Sequence, residues 1–206
     1  MAVTFGGTIW NGHAVLPDGQ GYVDISTNVM DWDTGIMQFE TRGAPFMAKG
    51  NIGWSAMKNI RITAPVGALA IRDARLYGLS GDVKIGLSRL TFRDPCQADG
   101  TIVVRRVAMD YPDWSWQGPD LTGPISCQNK VLIFNMTGQA KSGENGGGEY
   151  ERDDINMTLG VHASGRYDID LSFITREAGA NIALPLLGFD NQNGRWQLTE
   201  RGQWTP

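Results

Sequence analysis

Residues 165–174 read GRYDIDLSFI, and their alternation of apolar and polar side chains decides the fold. The apolar residues Tyr167, Ile169, Leu171 and Phe173 alternate one for one with the polar residues Arg166, Asp168, Asp170 and Ser172. Successive side chains of a β-strand point to opposite faces of the sheet, so a period of two gives the strand one apolar face and one polar face. We therefore predict a strand that buries one face and exposes the other to water.

The same period of two recurs along the whole chain, for example in residues 21–33 and 81–93. We predict about a dozen strands, a number typical of a large rolled or sandwiched sheet. The predicted fold class is mainly β, with an antiparallel sheet or sheets forming a rolled or grooved sheet or a sandwich in a single domain over residues 1–206. The predicted strands lie at residues 3–11, 20–32, 36–42, 47–54, 59–64, 81–93, 100–111, 121–127, 130–137, 149–161, 165–174 and 195–203.

Turn residues separate these strands. Type I′ turns need positive φ, which Gly adopts freely and Asn or Asp tolerate. This predicts turns at Gly6-Gly7, Asp18-Gly19, Asp99-Gly100 and Asn193-Gly194. The Gly-rich residues 142–148 predict a loop tip. One short helix is predicted near residues 176–187, where Pro185 shortens or kinks it, and residues 67–76 are a weaker helix candidate.

Composition excludes several classes of function. The chain has 206 residues and a formal net charge of −4, whereas a nucleic-acid-binding domain needs a basic surface. Arg105-Arg106 is the only adjacent basic pair, so we predict no nucleic-acid partner. No run approaches the ~20 apolar residues of a membrane-spanning helix.

Residues that could carry catalysis are few. The only two histidines, His13 and His162, have no partner at metal-ligand spacing, and we interpret each as a surface histidine. A carboxylate pair such as Asp31 and Asp33 is the minimum for glycoside hydrolysis. Both lie on one face of a predicted strand, however, where solvation is the ordinary outcome. The sequence therefore predicts a protein that is not an enzyme, with no catalytic, cofactor or metal site.

Two sets of residues are candidates for binding. Trp114 and Trp116 share one face of a strand, as in a stacking platform, although large aromatic side chains also pack sheets. The acidic residues Glu149, Glu151, Asp153 and Asp154 cluster in one predicted strand. We predict that these six residues contribute to an interaction surface.

The two cysteines, Cys96 and Cys127, each lie beside turn residues. In an oxidising compartment a disulfide is the simplest interpretation, whereas in the cytosol they would be two inert thiols. We favour the disulfide, which would contribute about 3–4 kcal/mol in the chain-entropy model.

Three segments together resemble protein N of the bacterial type II secretion system, the general secretion pathway protein N family. The chain opens on Gly7-Thr8-Ile9-Trp10-Asn11-Gly12, similar to the Gly-Thr-Leu-Trp-x-Gly opening of the family. Residues 116–127 read WQGPDLTGPISC, with Cys96 upstream. The end carries Gly165-Arg166-Tyr167, then residues 184–189 and 193–198 and Gly202. The order and spacing of these segments carry the resemblance, which spans nearly the whole chain.

The resemblance implies the periplasmic domain of a bacterial inner-membrane protein, without its N-terminal membrane anchor. It implies an accessory, structural subunit for protein transport by type II secretion, with no catalysis, metal or cofactor. The implied partners are other subunits of the inner-membrane platform, bound through strand edges or aromatic patches. Two alternatives stay open: a carbohydrate-binding β-sandwich that uses the tryptophans, and a lipid-sheltering β-groove of the cell envelope.

Overall fold

The structure is a computed structural model that describes residues 5–8, 11–15, 21–27, 37–42, 46–69, 78–91, 95–111, 114–139, 154–175 and 179–203. These residues form 15 strands, one α-helix and a 3₁₀ helix at Val66–Leu69. The strands are β1 (Phe5–Gly7), β2 (Asn11–Val15), β3 (Tyr22–Thr27), β4 (Met37–Arg42), β5 (Met47–Ile52), β6 (Met57–Pro65), β7 (Leu79–Thr91), β8 (Gln97–Tyr111), β9 (Trp114–Gln117), β10 (Leu121–Gln128), β11 (Val131–Gln139), β12 (Asp154–His162), β13 (Arg166–Phe173), β14 (Asp190–Gln192) and β15 (Arg195–Gln203). The helix is α1 (Ala180–Leu186).

All of these strands belong to one antiparallel sheet, which is open. Each strand from β1 to β8 pairs with the next along the chain, and β8, β10, β11, β12, β13, β15 and β14 complete the order. The short strand β9 lies off this path and pairs with the end of β8. The predicted class, mainly antiparallel β with one short helix, is confirmed, and the sheet is single rather than a sandwich.

The period of two gives the sheet an apolar face and a polar face. In β13, Tyr167, Ile169 and Phe173 are buried, while Asp168 and Asp170 point to the other side. The predicted strand at residues 165–174 is therefore confirmed. The same division holds in β7, where Val83, Leu87 and Leu90 are buried. Alternation in the sequence thus sets which face of each strand packs into the core.

Helix α1 packs on the apolar face and lies within the region predicted to be helical. Leu184 is completely buried in a core that also contains Ala180, Leu187 and Phe189. The helix ends in a Schellman motif, because Gly188 adopts φ +87°. The amide of Phe189 donates to the Leu184 carbonyl and that of Gly188 to the Pro185 carbonyl, each at 3.0 Å. This ending turns the chain so that Leu184 and Phe189 enter the same core.

Turn chemistry was predicted correctly at one hairpin and wrongly at two other positions. Gly6-Gly7 is not a turn but lies inside β1, where both residues pair with β2. Asn193 and Gly194 adopt φ of 55° and 85° and connect β14 to β15, as predicted. Asp99-Gly100 is not a turn but lies inside β8, because both neighbouring strands continue the pairing there. The β10–β11 hairpin falls at the predicted break between strands 121–127 and 130–137 and turns at Asn129-Lys130, both with positive φ.

Several boundaries differ from the predicted ones. The single strand predicted at residues 3–11 is a hairpin of β1 and β2, so His13 lies in a strand. Strand β14 was not predicted. Within the weaker helix candidate at 67–76, the described part is only the end of the 3₁₀ helix. The predicted turn at Asp18-Gly19, the loop at 142–148, and Asp31 and Asp33 lie outside the described residues.

Candidate functional site

The residues predicted for an interaction surface fall at two places in the chain. Trp114 and Trp116 lie in β9, at register positions opposite Tyr111 and Met109. Asp154 is the first residue of β12, opposite Gln139. Glu149, Glu151 and Asp153 lie outside the described residues. Their role in binding stays a prediction.

The predicted disulfide is present between Cys96 and Cys127, whose Cα atoms are 5.7 Å apart. Cys96 immediately precedes β8, and Cys127 lies near the end of β10. These two strands pair directly, with Gly100 opposite Ile125. The disulfide therefore joins two neighbouring strands near their ends, beside the β10–β11 turn.

The two ends of the strand order are candidate binding edges. Among the described residues β1 pairs only with β2, and β14 pairs only with β15. Each edge strand has three residues, and all three of β14 are exposed. An edge strand presents backbone N–H and C=O groups on its outer side that can accept a strand from another chain.

A second candidate surface is a polar cleft over strands β2–β6. Register places five side chains in one row across these strands: His13, Asp24, Glu40, Lys49 and Arg61. Side chains at directly opposed positions share a face of the sheet. An open cleft of about 710 Å³ lies over this row and is also lined by Asn11, Gln38, Asn51 and Asn59. The cleft therefore combines charged groups of both signs with carboxamides.

A third polar group lies on β12, β13 and β15. His162 Nε2 donates a 2.6 Å hydrogen bond to Asp168 Oδ2, and Arg201 Nε lies 3.4 Å from Asp168 Oδ1. The hydrogen bond from His162, together with the charges of His162, Arg166 and Arg201, holds the pKa of the Asp168 carboxyl below its ordinary value. His162 is the last residue of β12, and it hydrogen-bonds a carboxylate of the neighbouring strand β13.

We expect the Asp168 contacts to make the free energy of unfolding depend on pH in the acidic range. Because the folded-state pKa is lowered, ionised Asp168 stabilises the fold above its unfolded-state pKa of about 4, and this contribution is lost as pH falls through the folded-state pKa. Asp168→Asn should therefore unfold at lower urea concentration than the parent at pH 7, and the two midpoints should converge as the pH falls through the folded-state pKa of Asp168. Asp190→Asn, on an exposed carboxylate of β14, is the control. A difference at Asp168 that grows as pH falls would contradict the assignment.

Exposed apolar side chains lie on α1 and on the hairpin between β5 and β6. Ile182 and Leu186, one helical turn apart, are 74% and 79% exposed on the side of α1 opposite Leu184. Trp54 is 71% exposed, whereas Trp196 is buried in the core. Of these two tryptophans, one therefore packs in the core and the other lies at the surface.

Two features are absent from the described part of the chain. There, no group of three or more His, Cys, Asp or Glu side chains is arranged to hold a metal ion. No helix within the described ranges has the length and apolar character needed to span a bilayer.

The fold and its surfaces define a class of protein. It is a mainly β protein built on one open sheet, with one apolar face, one polar face and two short edges. The model of the family "Type II secretion system (T2SS), protein N" matches residues 2–199 of the chain. The chain belongs to this family and is a type II secretion component. Comparison with curated protein sequences found no match, and comparison with solved structures found none.

Proposed function

We propose that this chain is a non-catalytic accessory subunit of the type II secretion machinery that binds other subunits of the inner-membrane platform. In this proposal it is a single periplasmic domain, and an N-terminal membrane helix outside this chain anchors it to the inner membrane. The chain requires no cofactor for this role, because binding depends on surfaces of the sheet.

The open sheet in a member of this family is the observation that carries the proposal. An extended segment can add to an exposed edge through main-chain hydrogen bonds, with side chains supplying specificity. Edges β1 and β14 are short, which limits uncontrolled self-association while leaving a place for a specific strand.

Two observations support a binding role rather than catalysis. The family is one of components of a secretion machine. Of the two histidines, His162 is hydrogen-bonded to Asp168, and His13 lies exposed in a row of charged side chains.

A disulfide between Cys96 and Cys127 is typical of proteins that fold in an oxidising compartment, which supports a periplasmic location.

The proposal is tested by photo-crosslinking in cells that assemble the secretion machine. A photoreactive amino acid at Gln192, exposed on edge strand β14, should crosslink the full-length protein to another platform subunit. The same amino acid at Thr137, exposed in β11 near the middle of the sheet, is the matched control. We expect a crosslinked partner at Gln192 and none at Thr137.

Crosslinks at Thr137 with none at Gln192 would contradict edge binding. Crosslinks to cytoplasmic proteins alone would contradict the periplasmic location. The alternative functions differ in ligand: a sugar-binding platform or a lipid-sheltering groove would give no protein partner at Gln192.

A further inference from the structure

Five basic side chains lie together on the polar face of strands β5–β7, and we call them the basic patch. The chain as a whole carries a net charge of −4, so this concentration of positive charge runs against its overall balance. Four of the five are exposed and Lys58 is partly exposed. The patch consists of Lys49, Lys58, Arg61, Lys84 and Arg89.

Two irregular positions bring these residues onto one face. In a regular strand, Lys58 and Arg61 would point to opposite faces, because they are three residues apart. Asn59, with φ of 52°, is an extra residue in β6 relative to β5, so Lys58 stands opposite Asn51 and Arg61 stands opposite Lys49. Ser88 is the corresponding extra residue in β7 relative to β8, and Arg89 follows it onto the polar face.

Like charges oppose each other directly within the patch. Lys49 stands across from Arg61, and Lys58 stands across from Arg89. Directly opposed like charges in neighbouring strands destabilise a sheet. Glu40 stands opposite Lys49 and Asp99 opposite Arg89 on the outer sides of these pairs, so the cations lie side by side over β6, where an anionic partner could meet both.

Several basic residues elsewhere on the sheet have carboxylate partners, in contrast to four residues of the patch. Arg105 pairs with Asp120, Arg106 with Asp82, and Arg201 with Asp168. Among the described residues, no carboxylate lies within ion-pair distance of Lys49, Arg61, Lys84 or Arg89. The charges of these four residues are thus available to a ligand.

We propose that the basic patch binds an extended acidic segment of a partner protein, with carboxylates on alternate residues. Residues that directly oppose each other on neighbouring strands form a row across the sheet, and the patch spans three consecutive rows. The first row holds Arg89 and Lys58, the second Arg61 and Lys49, and the third Lys84. Consecutive rows on one face are two residues apart, about 6.6–6.8 Å, which is the spacing of alternate side chains in an extended peptide. A segment lying along β6 would therefore place one carboxylate at each row.

The surroundings of the patch favour a polypeptide over an anionic membrane surface. Glu40 and Asp24 continue the row of Lys49 and Arg61 on the two neighbouring strands, and a flat anionic surface would approach them as well. The adjoining cleft presents the carboxamides of Asn51 and Asn59, which can hydrogen-bond a peptide backbone. This surface lies away from both edges, so the proposal does not depend on edge binding.

The test uses the 206-residue chain and a fluorescein-labelled decapeptide in which Glu alternates with Ser. Fluorescence anisotropy at low salt should detect binding that weakens as ionic strength rises. The double variant Lys49→Gln/Arg61→Gln should bind at least about tenfold more weakly, because two of the charge contacts are lost. The control Arg105→Gln/Arg201→Gln makes the same change in net charge at ion-paired positions and should bind as the parent does. Circular dichroism verifies that both variants are folded.

Each outcome decides the proposal. Equal weakening by both double variants would overturn it, because binding would then follow net charge alone. Absence of peptide binding to the parent would also overturn it. Binding to phosphatidylglycerol vesicles that requires Lys49 and Arg61, without peptide binding, would identify the patch as a membrane contact instead. A decapeptide of the same composition with its Glu residues in one block should bind more weakly, and equal binding would overturn the alternate spacing.

Discussion

Replacing Leu184 by alanine is expected to lower the free energy of unfolding by about 2–5 kcal/mol, the range found for buried leucines. Leu184 is completely buried where α1 packs on the apolar face of the sheet. Its removal costs the transfer free energy of the lost methyl and methylene groups and leaves a cavity beside Phe189 and Leu187. Urea unfolding followed by tryptophan fluorescence measures the change, since Trp196 lies in the same core.

Leu186→Ala is the matched control, because it changes the same side chain two residues further along the same helix. Leu186 is 79% exposed, and its truncation should change the free energy of unfolding by no more than about 0.5 kcal/mol. Equal losses at the two positions would mean that α1 does not pack on the sheet through Leu184. A large loss at Leu186 alone would indicate that the opposite side of α1 is buried.

Removing the disulfide by the double substitution Cys96→Ala/Cys127→Ala is expected to cost about 3–4 kcal/mol. The two cysteines are 31 residues apart in sequence, and in the chain-entropy model a bridge over a loop of this length restricts the unfolded chain by that amount. The folded sheet should be retained, because β8 and β10 also pair through their backbones. Denaturant unfolding of parent and variant under non-reducing conditions measures the loss.

Reduction provides an independent check on the disulfide. Unfolding of the parent in excess dithiothreitol should match that of the double-alanine variant to within about 1 kcal/mol, with the remainder arising from the two thiols of the reduced parent. Thiol labelling of the denatured, non-reduced parent should find no free cysteine. Two labelled thiols in protein exported to the periplasm would contradict the bond.

The sequence predicted much of the fold because the strands carry their own signal. In β13, the alternation from Arg166 to Phe173 defines both the strand and the side that is buried. Asn193-Gly194 defined a hairpin for an equally local reason, since few residues adopt positive φ easily. The disulfide was predicted from the number of cysteines and from the turn residues beside them. That prediction did not use the register that places β8 beside β10.

Sequence reasoning failed where the outcome depended on pairing. Asp99-Gly100 has the composition of a turn, yet β7 and β10 on either side hold it within β8. Lys130 has no preference for positive φ, but the registers of β10 and β11 require it to close their hairpin. In both cases the free energy of pairing two long strands exceeds a local preference, which spans only about 1 kcal/mol.

By itself, the sequence determined that this protein is a β-sheet with one apolar and one polar face, because a side chain's polarity and its place in a period of two are properties of the chain alone. Its family membership rests likewise on residues 2–199 of the sequence. Only the tertiary structure decided which polar residues share a surface. The basic patch exists because Asn59 and Ser88 shift the register of β6 and β7 and bring Lys58 and Arg89 beside Arg61. A bulge depends on the hydrogen-bonding of two strands together, and the alternation within either strand does not specify it.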